Sequence, residues 1–111
     1  MASDFYWKTH DTSPTIKVQL LDSAGAPVVV TGGSVKFVMM AQGGGAPKVN
    51  AAGTIVDGPT GVVSYTPVAS DTDTTGTYQA EWEVVYLSGA KQTFPDPGYN
   101  TVTITADLNS T

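Results

Sequence analysis

The chain has 111 residues, 41% of them hydrophobic and only 14% charged, against roughly 25% charged in an average globular chain, and it is too short for two domains that each bury a core. Five Lys, no Arg and ten acidic residues give a net charge of -5, which argues against a nucleic-acid binder, and the supply of Val, Ile, Tyr and Trp excludes a disordered solvating tail. With no cysteine there is no disulfide framework, zinc–thiolate site or thiol nucleophile.

Gly, Thr and Pro punctuate the chain about every 8–12 residues, and no stretch carries helical apolar spacing over three turns, the pattern of an all-β sandwich or barrel. Phe5 to Thr9 is the first predicted strand, stopped by His10-Asp11-Thr12-Ser13-Pro14. Thr15 to Leu21 follows, with Ile16, Val18 and Leu20 on one face, and Asp22 to Pro27 is a turn in which Asp22 caps backbone and Gly25 supplies a positive φ. Val28 to Thr31 is expected as a short strand. Ser34 to Met40 places Val35, Phe37 and Met39 on one face and Lys36, Val38 and Met40 on the other. The Gly-rich stretch from Ala41 to Pro47 is a loop, Lys48 to Asp57 a weaker strand, and Val62 to Thr66 another. The clearest strand is Thr77 to Leu87: Tyr78, Ala80, Trp82, Val84 and Tyr86 share the inner face, while Gln79, Glu81 and Glu83 face water. Ala90 to Phe94 and Asn100 to Ala106 complete the set, the latter with Val102 and Ile104 inward, separated by Pro95-Asp96-Pro97-Gly98. Residues 107–111 read as a short flexible tail on a single domain spanning 1–111.

Asp71 to Tyr78 reads Asp-Thr-Asp-Thr-Thr-Gly-Thr-Tyr, an acid, a glycine and then a tyrosine opening the best strand. In immunoglobulin-like sandwiches a tyrosine corner stands at this place, its hydroxyl bonded to upstream backbone. The expected fold is therefore an all-β, Ig-like sandwich of about seven to eight antiparallel strands, with a small barrel or jelly roll as the alternative.

Reactive chemistry is scarce. The sole histidine, His10, adjoins Asp11, but neighbours on an extended chain point to opposite faces and form no triad locally. Asp71 and Asp73 lack the spacing of a calcium loop and suit turn capping, and Gly43-Gly44-Gly45 lacks the Lys-Ser/Thr of a phosphate loop. No enzyme activity, metal or cofactor is expected. No basic region followed by an apolar run opens the chain, and no apolar run nears the ~20 residues of a membrane span, so synthesis in a cytoplasm and no membrane partner are expected.

Two features suggest surface recognition. Tyr6, Trp7 and Tyr99 lie near strand ends or loops, where exposed aromatics serve either sugars or protein partners. Val38, Met40 and Val85 sit on faces that their neighbours make polar, which means either a sheet covered on both faces or a docking patch. The candidate interface residues are Phe5, Tyr6, Trp7, Val38, Met40 and Tyr99.

The ordered elements resemble the N-terminal, Ig-like domain family of tailed-phage baseplate upper proteins. The resemblance rests on the Pro14-to-Leu21 strand, Asp22 with Gly25-Ala26-Pro27, Thr31-Gly32 and Val35-Lys36-Phe37, then Asp57, Thr60-Gly61-Val62-Val63 and Tyr65. It continues through Asp71-Thr72, Gly76-Thr77-Tyr78, Ala80-Glu81-Trp82, Gly89, Thr93-Phe94-Pro95, Gly98-Tyr99 and Val102-Thr103-Ile104. It implies a non-catalytic virion component, made in the host bacterial cytoplasm, that docks on other virion proteins such as a major capsid or tail/baseplate protein. It would do so in multiple symmetric copies or as a homo-oligomer, with weak glycan binding as a second role. Baseplate members of the family usually continue into a helical linker and a receptor-binding platform. This sequence stops at Thr111, so the expectation is a stand-alone capsid decoration or tail accessory.

Overall fold

The computed structural model describes residues 4–94 and 100–106; Tyr99 and the 107–111 tail lie outside them. Nine strands are found among these residues: β1 (Asp4–Lys8), β2 (Ile16–Gln19), β3 (Ser34–Ala41), β4 (Val49–Ala52), β5 (Thr54–Asp57), β6 (Val62–Tyr65), β7 (Gly76–Val85), β8 (Lys91–Phe94) and β9 (Asn100–Thr105), with one 3-10 turn at Ala69–Asp71. They form an all-β, Ig-like sandwich. One sheet runs β1-β9-β7-β3-β4, with β8 also on β7, and the other runs β2-β6-β5. β1 lies parallel to β9, and every other pairing is antiparallel.

Strict period-two alternation places the core. Val35, Phe37 and Met39 of β3 and Tyr78, Ala80, Trp82 and Val84 of β7 are buried, as are Val102 and Ile104 of β9. These side chains meet Ile16, Val63 and Tyr65 of the smaller sheet. Phe37 is the bridge: its ring stacks on Tyr65 across the sandwich at 4.7 Å and meets Trp82 edge-on at 4.9 Å. The inward faces expected from the sequence for 34–40, 77–87 and 100–106 are those observed.

Two segments differ from expectation. Lys48 to Asp57 is not one strand: β4 pairs with β3 in the large sheet, whereas β5 pairs with β6 in the small one. The crossing point is Gly53. A Cβ there would stand 3.1 Å from the Ser64 carbonyl, 3.2 Å from Val35 and 3.4 Å from the Trp82 ring, so the chain changes sheets at a tight spot where an added methyl would press its neighbours by a few tenths of an ångström. Val28 to Thr31 is not a strand either. Its amides are spent across the sandwich end, Val28 on the Leu20 carbonyl and Val30 on the Gly58 carbonyl, instead of on a ladder.

The turn and corner chemistry follows the sequence reading. Asp22 Oδ1 accepts from the amides of Ala24 and Ala26, and Gly25 takes φ +85°. The Tyr78 hydroxyl donates to the Thr74 carbonyl at 2.7 Å, with Gly76 at φ +150° making the turn between them. That is the tyrosine corner geometry.

Candidate docking surface

The two ends of the sandwich differ in chemistry. At one end the corner loop is tied to its neighbours. Asp71 Oδ2 accepts the Val68 amide at 3.0 Å and the Tyr65 hydroxyl at 2.5 Å. Thr72 donates its hydroxyl to the Asp11 carbonyl and accepts the His10 amide on its own carbonyl. Lys48 pairs with Asp73 at 2.6 Å, and this ammonium, with the Thr74 hydroxyl, holds the Asp73 carboxyl below its ordinary range. At the other end the Tyr86–Ala90 turn presents Leu87, 80% exposed, beside Gly32.

Between the ends, the large sheet turns outward a face that no other described element covers. Strand register lays this face out in rows. Met40 stands beside Gln79, then Thr101, then Asp4. Val38 lies between Asn50 and Glu81, and Lys36 lies between Ala52 and Glu83, with Thr93 beyond. Val38, Met40, Gln79 and Glu81 line a shallow, open depression in the middle of the face.

Glu81 occupies a special place in the ladder. Residues 76–80 of β7 pair with β9 and residues 82–85 with β8, so among the described residues Glu81 has no strand partner on that side. Among the described residues the single ion pair is Lys48–Asp73, so the Glu81 carboxylate has no cationic partner there.

The structure sorts the sequence-derived candidates. Val38 and Met40 come together in the depression, half-buried and facing outward. Of the two choices left by the sequence, a doubly covered sheet or an open face, the described residues form an open face. Tyr6 shares that face on β1, 67% exposed, three strands from β3 and so about 14 Å away. Phe5 faces inward and packs against the core. Trp7 needs correction as a surface residue. It is 2% exposed, and its Nε1 donates to the Pro14 carbonyl at 3.0 Å, because pairing with Ile104 puts it on the inner side of β1. An aromatic sugar platform therefore loses Trp7 and keeps Tyr6. Tyr99 lies outside the described residues. Gln79 and Glu81 were legible as an outward row, but not as neighbours of Val38 and Met40, since no local pattern gives the β3–β7 register.

For other chemistry, His10 is exposed in a turn, and no group of three or more His, Cys, Asp or Glu suited to a metal is present among the described residues. No described helix is long and apolar enough to cross a membrane.

No family model and no curated protein sequence matches the chain. Among solved structures it is similar to the N-terminal domain of phage TP901-1 ORF48, with a TM-score of 0.65 and 17% sequence identity over 93% of this chain and 85% of that one. At that identity the likeness is one of fold.

Proposed function

We propose that the chain is a non-catalytic structural module of a bacteriophage virion that docks on other virion proteins through the outer face of its large sheet. The observation that carries this reading is the half-buried pair Val38 and Met40, set in a depression on a sheet face that no other described element covers, in a fold similar to that of a phage protein domain. Strands of four to ten residues, five abreast, give a face of roughly 600 Å², at the lower end of what one partner contributes to a standard interface (~800 Å²). A single such contact is modest, and repetition over symmetric copies multiplies it. The net charge of -5 keeps the free pool soluble before assembly. Within the virion, a capsid decoration or a tail or baseplate accessory fits these features.

The test is binding of the purified protein to phage particles assembled without it. Saturable, stoichiometric binding is expected, and Val38→Asp should weaken it by about tenfold or more because the interface would bury an unpaired charge. Absence of binding to any virion component would overturn the reading.

A further inference from the structure

We infer that the depression beside β7 receives a lysine or arginine side chain from the partner protein, its alkyl stem lying on Val38 and Met40 and its charged head meeting Glu81. This rests on the docking reading above and names the chemistry of the contact.

The argument starts from what a partner must satisfy. Covering the depression removes water from two apolar side chains, which is favourable, and from the Glu81 carboxylate, which is unfavourable unless a counter-charge arrives. An apolar partner side chain would meet only the first condition. A short polar one would meet neither fully. Lysine and arginine meet both, because three or four methylenes can lie along an apolar surface while the head reaches a charged group.

The surroundings favour the same occupant. Glu81 has no cationic partner among the described residues. Glu83 faces the same way two residues along β7, about 7 Å distant. Lys36 stands across from Glu83 in register, leaving Glu81 opposite the neutral Val38. The Gln79 side chain on the floor carries a carbonyl oxygen that can accept a second hydrogen bond from the same head. Among the described residues, neither β8 nor β9 sets a side chain opposite Glu81. The intervening stretch, Pro95-Asp96-Pro97-Gly98-Tyr99, brings no cation in its sequence.

The experiment is an NMR titration of the isotopically labelled full chain with three capped pentapeptides, Gly-Gly-X-Gly-Gly, in which X is lysine, arginine or norleucine. Norleucine keeps the stem and lacks the charge. The lysine and arginine peptides should move the amide signals of Val38, Met40, Gln79 and Glu81 saturably, in the millimolar range expected of one side chain. The norleucine peptide should bind at least about fivefold more weakly, and about 0.5 M salt should weaken the charged peptides by a similar factor. Glu81→Gln should abolish the preference for lysine over norleucine, while Glu83→Gln changes it less than about twofold. Equal binding of lysine and norleucine, or a lysine preference that survives Glu81→Gln, would overturn the inference. The particle assay separates this from the parent reading. If Val38→Asp releases the protein and Glu81→Gln binds as the unaltered chain does, docking stands and the cation contact falls. If neither substitution alters binding, both fall.

Discussion

Trp82 fills the centre of the sandwich, 0% exposed, and its indole Nε1 has no hydrogen-bond partner among the described residues. Its ring area stabilises the core while its buried donor costs free energy. The two can be separated by substitution. Trp82→Ala should lose about 3–5 kcal/mol, whereas Trp82→Phe should lose less than about 1.5 kcal/mol, because the smaller ring also removes a donor whose burial costs ~1–3 kcal/mol. Urea midpoints for the two variants check this, and equal losses would contradict it. Tyr65 presents the opposite case, a buried phenol fully engaged with the Asp71 carboxylate. Burial first, and then that hydrogen bond and its negative charge, push the phenol far above its ordinary value. An unfolded tyrosine titrates near pH 10. Above that pH the unfolded chain releases a proton that the folded chain retains, so stability is level below about pH 10 and falls as pH rises further. Tyr86, also raised by burial, adds to the same window. Tyr65→Phe should cost ~1.5–3 kcal/mol at neutral pH, the range for a bond to a charged group, and make the alkaline fall shallower. Denaturation measured between pH 7 and about 11 checks both effects.

At the level of elements, Gly53 decides whether β4 and β5 can belong to different sheets. Gly53→Ala forces a methyl between the Ser64 carbonyl, Val35 and Trp82, and should cost about 1–3 kcal/mol as overpacking. Gly43, in the β3–β4 loop with nothing within 4 Å of an added Cβ, is the control, and Gly43→Ala should change stability by less than about 0.5 kcal/mol. β7 is the element on which the large sheet depends, since β3 pairs along most of it on one side and β8 and β9 divide the other. β4 and β5 lie at sheet edges. Native-state hydrogen exchange should therefore be slowest in β3 and β7 and at least about tenfold faster in β4 and β5.

For the whole molecule, the core lies on one side of the large sheet and the candidate interface on the other. Alternation along β3 and β7 assigns each residue to one of these tasks. Stability and docking should consequently come apart under mutation. Val38→Asp, which weakens docking, should lower Tm by no more than about 5 °C, since the change lies on the uncovered face and roughly 1 kcal/mol corresponds to ~4 °C in a domain of this size. Differential scanning calorimetry checks this against Trp82→Ala, which acts on the other side of the same sheet. A large loss of Tm for Val38→Asp would mean that Val38 serves the core.

The sequence by itself determined the fold class, the alternation of β3, β7 and β9, the Asp22 turn and the tyrosine corner. These are local properties, set by side-chain period and by backbone angles within a few residues. Three things were decided only by the tertiary structure. Tyr6 and Trp7 read alike as surface aromatics, and pairing of β1 with β9 sent Trp7 into the core and left Tyr6 outside. The Lys48–Asp57 stretch reads as one strand because β-propensity does not register a change of sheet, which falls at Gly53, where β4 leaves the large sheet and β5 joins the small one. The grouping of Val38 and Met40 with Gln79 and Glu81 joins residues some forty positions apart, and only the β3–β7 register brings them together.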